Sequence, residues 1–431
     1  MNNSKNIISL EESSIAVIGL GYVGLPLCVE LGKKYKTLGF DINKNRIQDL
    51  MKLDDKTGEV SFSELKSSTK LNFSNSEDDL TNSNVFIITV PTPVDESKEP
   101  DLTPLINASK LVGKYIKDGS VVIYESTVYP GVTEETCGLI LEEVSGLTLN
   151  IDFYLGYSPE RIVPGDKSKN FKDILKITSG SSPECAKFVD SLYSSIVLAG
   201  TYCAENIKTA EAAKVIENTQ RDVNIALINE FSLIFSRLGI DTNEVINAAS
   251  TKWNFIELRP GLVGGHCIGV DPYYLIHHAK QKGHIPDLIM TARKINEQIP
   301  LDICQKYLDL IGQSRAYVGS RCLIVGATFK PDCNDLRNSK VKDIFDILTE
   351  KGVLIDILDE VADVKEIANI FGTNVISKID ESKKYDGIIL CVDHKFVREK
   401  DIQYWRSMLN SSGCLLDIKA IYSKDNTDFR L

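Results

Sequence analysis

The run SIAVIGLGYVG, from Ser14 to Gly24, decides the fold. Ser14 to Ile18 is a short apolar stretch of strand length. Gly19, Gly21 and Gly24 follow without a spacer, and Val23 to Lys33 carries apolar residues at helical spacing. A strand that turns through glycine into a helix is a βα unit, and GxGxxG in that context has mechanical reasons. Gly19 allows the tight turn, Gly21 lets backbone approach a pyrophosphate, Gly24 lets helix close on strand, and the helix N-terminus supplies partial positive charge. Thr37 to Phe40 gives a second short strand ending in Asp41, 22 residues after Gly19. A carboxylate there accepts hydrogen bonds from ribose hydroxyls and repels a 2'-phosphate, so the cofactor reads as NAD. Lys44 and Arg46 are near, but no Arg directly follows Asp41.

Outward from this unit, strand-like apolar runs recur at Val85 to Val90, Ser120 to Tyr124 and Phe153 to Gly156, which predicts a doubly wound parallel sheet. From Asn206 to about Ala248 the spacing becomes helical with no strand signal, as in a long connector helix on which a homodimer forms. Trp253 to Tyr274, rich in Gly and Pro, reads as an ordered loop. A second strand-then-glycine start at Arg321 to Phe329 and further strands at Val353 to Leu358, Gly387 to Val392 and Cys414 to Ile418 give a second α/β domain. The expected division is a Rossmann domain over 1–205, a helical part with the Gly-rich loop over 206–312 and a closing α/β domain over 313–431. A chain of 431 residues exceeds one core, which agrees with several domains.

Composition excludes several classes. The net charge of -11 repels nucleic acid and anionic membrane surfaces, so an anionic ligand must be held by backbone amides and a few placed cations. No apolar run approaches bilayer length, and the first 13 residues lack an apolar leader core, so a cytoplasmic location is expected. Ten Cys without a CxxC pair, and five His away from metal-ligand spacing, predict reduced thiols and no metal.

Six more motifs follow GLGYVG: VPTP at 90–93, ESTVYPG at 125–131, SPERIVPG at 158–165, EAAKVIEN at 211–218, GGHCIGVDP at 264–272 and FKPDCNDLR at 329–337. Together, in this order from about residue 14 to 420, they resemble the UDP-glucose/GDP-mannose dehydrogenase family. The resemblance implies an NAD domain, a central dimer-forming part and a nucleotide-sugar domain. It also implies oxidation of a sugar C6 alcohol to a carboxylate with two NAD per turnover, through a thioester on Cys267.

The residues themselves suit that chemistry. An aldehyde cannot release a second hydride until a nucleophile adds to it, and Cys267, in a Gly-rich loop that leaves the sulfur accessible, can be that nucleophile. Lys214 and Asn218 stand i, i+4 on one helix, so both can converge on one oxygen. By resemblance they contact the oxyanion, Asp271 joins Lys214 in managing the alcohol proton, and Glu160 and Thr127 serve thioester hydrolysis. The resemblance also places Tyr22, Val23 and Arg46 with the glycines and Asp41 at the dinucleotide, and Pro91, Thr92, Glu125 and Thr127 at the nicotinamide. It gives the nucleotide sugar Glu160, Arg161, Lys214, Asn218, Arg259, Gly264, Lys330, Arg337 and Lys419, of which Lys330 and Arg337 are the placed cations for the diphosphate. His266 adjoins the nucleophile; His277, His278, His284 and His394 read as structural or surface residues.

Members acting on UDP-glucose typically carry GGSCxPKD where this chain has GGHCIGVD, so the sugar pocket differs. GGHC with DPYYL, preceded by KWNF at 252–255 and RPGLV, resembles the branch acting on UDP-N-acetylhexosamines in capsule and O-antigen synthesis. UDP-GlcNAc or UDP-GalNAc is expected, with UDP-ManNAc and UDP-glucose as alternatives. A two-electron alcohol dehydrogenase and a non-catalytic sensor are the rival classes; intact Cys267, Lys214, Asn218 and Asp271 argue against both.

Overall fold

The computed structural model describes residues 6–162, 171–372, 375–376 and 383–431. Two compact units emerge, one of residues 1–217 with 273–283 and one of residues 218–272 with 284–431.

The first unit holds strands β1 (Ser14–Ile18), β2 (Lys36–Phe40), β3 (Leu71–Ser74), β4 (Val85–Ile88), β5 (Val121–Tyr124), β6 (Tyr154–Tyr157), β7 (Lys176–Gly180) and β8 (Thr201–Cys203) in the order β3-β2-β1-β4-β5-β6-β7-β8. Side chains alternate across a strand, and β1 shows the outcome: Ile15 and Val17 join one apolar cluster, Ala16 and Ile18 another. Both faces are therefore covered, and each fully buried aliphatic side chain contributes about 1.5–3 kcal/mol. Strand β1 pairs in parallel with both β2 and β4, so the order reverses there and a crevice opens beyond its carboxyl end.

The parallel doubly wound sheet is as expected, with one antiparallel pairing in it. Strand β7 runs antiparallel to β6, with Tyr157 opposite Ser179. A parallel crossover needs a covering helix. Among the described residues between these strands lies a short 3-10 turn, Phe171–Asp173.

In the second unit, β9 (Arg321–Val325), β10 (Leu354–Leu358), β11 (Val375–Ile376), β12 (Tyr385–Leu390), β13 (Leu409–Asp417) and β14 (Phe429–Arg430) pair in parallel in the order β11-β10-β9-β12-β13-β14. Again alternate residues divide, Cys322 and Ile324 to one cluster and Leu323 and Val325 to the other.

The connector is not one helix over 206–248. It is Ile207–Leu238 followed by Thr242–Ser250. The break lies at Asp241, whose side chain accepts the Glu244 N–H and so caps a new helix. Among the described residues no helix is long and apolar enough to cross a membrane.

Candidate active site

At the crevice beyond β1 the glycine turn has the shape a dinucleotide needs. A Cβ on Gly24 would lie 1.9 Å from the Gly19 carbonyl oxygen and 2.4 Å from Thr89 Oγ1, so only glycine lets helix Gly24–Gly32 close on the turn. A Cβ on Gly21 would meet nothing within 4 Å, which leaves open space over that backbone. Val23 caps the helix without a side-chain hydrogen bond, and its first turn holds no acidic residue. Asp41 Oδ2 accepts the Leu20 N–H at 2.8 Å and Oδ1 the Asn43 N–H at 2.8 Å, fixing the carboxylate beside the turn. Arg46 is turned inward: Nε donates to the Leu20 carbonyl at 2.9 Å and Nη1 to Asp55 at 2.7 Å. Uncapped amides, open backbone and a ribose-height carboxylate fit NAD.

The loops after β4, β5 and β6 share this edge. Thr92 Oγ1 donates to the Thr127 carbonyl at 2.8 Å and Ser126 Oγ to the Val90 carbonyl at 2.6 Å, so the VPTP and ESTV segments are tied together. Pro91 is exposed, Tyr22, Thr92 and Thr127 half-buried. Glu125 is fully enclosed: Oε2 lies 2.7 Å from Lys176 Nζ, and Oε1 accepts the Tyr193 hydroxyl. Burial raises its pKa to about 7, Lys176 opposing and Glu160 adding to the shift. Glu160 Oε2 lies 3.2 Å from the same ammonium, and Oε1 accepts the N–H groups of Arg161 and Ile162 at 2.5 Å. Val163, Pro164 and Gly165 of SPERIVPG lie outside the described residues. The Arg161 guanidinium pairs with Glu217 at 2.9 Å. Lys214 is buried one helical turn before Asn218.

The nucleophile loop belongs to the second unit. Gly265 has φ +82, and a Cβ there would lie 2.8 Å from the Phe329 ring; one on Gly264 would lie 2.6 Å from the Asn338 carbonyl oxygen. Gly265 N–H donates to that oxygen at 3.2 Å, so GGHC is laid directly on the loop after β9. Cys267 is half-buried, and its carbonyl accepts the Asp271 N–H at 2.8 Å, one turn ahead of helix Asp271–Gln281. Buried Asp271 accepts a hydrogen bond from Asn218 Nδ2 at 2.6 Å. No disulfide joins any of the ten cysteines, and eight of them are buried. Desolvation pushes the thiols of Cys137, Cys185, Cys304 and Cys414 to about 12, which disfavours their thiolates. His266 Nδ1 stands 3.5 Å from Asp335 Oδ2, its ring edge-on to Phe329.

On the same side, Arg337 forks onto Asp335, with Nη2 at 2.6 Å. Lys330 Nζ stands 5.6 Å above the Phe329 ring. Arg259 is exposed and bonds Asn247 at 2.7 Å and Glu257 at 2.6 Å. The Lys419 ammonium reaches over Gly261, whose Cβ would sit 2.7 Å from it, and desolvation lowers its pKa.

Several polar residues escaped sequence reasoning. Lys176 and Tyr193 are two, and Glu211 is another: its buried carboxylate accepts Gly131 and Thr133 N–H at 2.5 and 2.9 Å and holds the ESTVYPG loop on the long helix. Asn229 clamps the Gly261 backbone in both directions and bonds Asn296, which with Arg293 engages buried Asp222. His394, read as structural or surface, is buried and accepts the Asp332 N–H at Nδ1, which fixes the loop after β9. The available signal was a charged residue inside an apolar period, which names no partner.

Glycine turn, ribose carboxylate and switch point define a dinucleotide-binding α/β enzyme of dehydrogenase type. Residues 13–197, 208–298 and 323–424 match, in that order, the NAD binding, central and UDP binding domains of the UDP-glucose/GDP-mannose dehydrogenase family, and the chain belongs to that family. NAD is thus its cofactor. The chain is 50% identical to UDP-N-acetyl-D-glucosamine 6-dehydrogenase of Pseudomonas aeruginosa over 98% of its length and 100% of the relative's. It is 46% identical to the enzyme of that name from Salmonella typhi over 99% and 100%. The solved structure of a UDP-D-ManNAc dehydrogenase from Pyrococcus horikoshii superposes with a TM-score of 0.87 at 30% identity, covering 97% of this chain and 98% of that one.

Proposed function

We propose that the chain oxidises the C6 alcohol of UDP-GlcNAc to the uronic acid by a four-electron route. The placement of Cys267 carries the chemistry: a half-buried thiol on a glycine turn, one turn ahead of an Asp271 that Asn218 already holds. The likeness to two UDP-N-acetyl-D-glucosamine 6-dehydrogenases along the whole chain supports the sugar.

Lys214 and Asp271 take the alcohol proton as the first hydride leaves C6, and Asn218 and Lys214 steady the oxygen. Cys267 Sγ adds to the aldehyde carbon and gives a thiohemiacetal; loss of the second hydride leaves a thioester. Bound NAD supplies the hydride acceptor in each oxidation. Water, aligned by Thr127 and activated by Glu160, replaces sulfur at the carbonyl, releasing the carboxylate and the thiol.

A three-part division at 205 and 312 and a homodimer complete the reading. The dimer is supported by Leu227, Phe231, Ile234 and Leu238, which are exposed at helical spacing along Ile207–Leu238. A cytoplasmic location suits a mechanism that needs its thiol reduced.

The test is a panel of UDP-GlcNAc, UDP-GalNAc, UDP-ManNAc and UDP-glucose read by NADH. UDP-GlcNAc should be preferred, with two NADH per sugar. One NADH per sugar, or acid production undiminished in Cys267→Ser, refutes the mechanism; preference for another sugar refutes the substrate.

A further inference from the structure

Lys176 belongs to none of the seven motifs, yet it has an environment unlike that of any surface lysine. The residue is 2% exposed. Its Nζ lies 2.7 Å from Glu125 Oε2 and 3.2 Å from Glu160 Oε2, and 5.3 and 5.4 Å from the ring centres of Phe171 and Tyr193. The other oxygen of each carboxylate is also engaged, that of Glu125 by Tyr193 and that of Glu160 by two backbone N–H groups.

The antiparallel strand explains how a lysine comes to be here. Strand β7 begins at Lys176 and runs against β6, so its first residue falls at the carboxyl edge of the sheet, where β5 delivers Glu125 and β6 delivers Glu160. A parallel β7 would have put Lys176 at the opposite edge. A buried ammonium between two carboxylates is a poor stabilising device, since desolvation cancels most of the attraction and apolar residues of similar volume serve as well. The arrangement does achieve one thing: Glu160 is fixed at three points, with its two oxygens facing opposite partners.

We propose that Lys176 is a positioning residue for thioester hydrolysis, holding the Glu160 carboxylate aimed at the attacking water through the grip it shares with Glu125. The inference rests on the reading of Glu160 and Cys267 given above. Lys176 touches neither sugar nor cofactor in this role, so binding and the hydride steps are left to other residues.

The experiment compares wild type, Lys176→Arg, Lys176→Met and Lys176→Gln. Lys176→Gln keeps a hydrogen-bond donor between the two carboxylates, which protects folding if Lys176→Met is too unstable. Each is mixed with NAD and UDP-GlcNAc and followed by the pre-steady-state NADH burst, steady-state kcat and KM, and intact mass. The expected result for the Met and Gln variants is a preserved burst, KM within a few-fold of wild type, kcat lower by about 10²-fold, and a sugar acyl adduct accumulating on Cys267. Lys176→Arg should recover much of kcat. A folded Met or Gln variant that turns over at the wild-type rate without adduct overturns the proposal. So does one whose burst and steady state slow equally, which would mark Lys176 as merely structural. If instead wild type itself yields one NADH per sugar, or Cys267→Ser still makes acid, the underlying reading of the reaction has failed.

Discussion

Cofactor choice follows from how Asp41 and Arg46 are committed. A carboxylate fixed by the Leu20 and Asn43 N–H groups cannot turn away from a 2'-phosphate. At about 5 Å, with an effective dielectric between surface and bulk values, each unit of like charge costs roughly 1–3 kcal/mol. Losing the charge-assisted bond to the ribose hydroxyl costs roughly another 1.5–3 kcal/mol. At about 1.4 kcal/mol per decade, NADP should be used at least ~10²-fold less efficiently than NAD. Relief by Arg46 would require breaking its bonds to the Leu20 carbonyl and to Asp55. The assay is kcat/KM for each cofactor at saturating UDP-GlcNAc. Asp41→Ala should lower NAD efficiency by roughly ten-fold or more, through the lost ribose bonds and the loosened Leu20 turn, and so narrow the ratio. A wild-type ratio under about ten would refute the reasoning, because it would mean that a neighbouring cation such as Lys44 offsets the Asp41 charge.

Two further outcomes are expected. Burial raises Glu211 to about 7 from a usual value near 4.5, against the bonds from Thr133 and Gly131, so the folded protein holds that proton to higher pH than the unfolded chain. Stability from this group is therefore full below about 4.5 and declines as pH rises to about 7, by about 3 kcal/mol at most. Glu211→Gln removes the loss, and its Tm relative to wild type should climb between pH 5 and 8; a flat difference by scanning calorimetry would sink the argument. On assembly, wild type should sediment as a dimer at micromolar concentration, whereas Phe231→Glu with Ile234→Glu should give monomers. A doubly substituted chain that remains dimeric excludes this helix face as the interface.

Backbone architecture was largely legible because period and punctuation are local. The strand-glycine-helix start at Ser14 to Gly24 and the second start at Arg321 are where the sequence places them. Short edge strands such as Leu71–Ser74 and Thr201–Cys203 were not, since three or four residues hold too little period to separate from loop. The antiparallel β7 was hidden for another reason. KITSG reads the same whichever way the strand runs, because side chains alternate between the faces in either direction.

Side-chain partners were the least legible, and the arginines show why. Arg46, Arg161, Arg259 and Arg337 were all given ligand roles from their place in the sequence, and each has a carboxylate partner in the fold: Asp55, Glu217, Glu257 and Asp335. A chain with 60 acidic residues against 49 basic ones supplies a carboxylate near almost any guanidinium, and the fork geometry of Arg favours that pairing. Lys330 and Lys419 differ, because among the described residues neither has a carboxylate within ion-pair distance; Lys330 lies against a ring and Lys419 over a glycine. Placing an anion beside either lysine breaks no existing pair, whereas recruiting Arg337 means drawing it from buried Asp335. The electrostatic gain from a diphosphate should therefore fall mainly to the two lysines and to backbone amides, with Arg337 ordering its loop through Asp335.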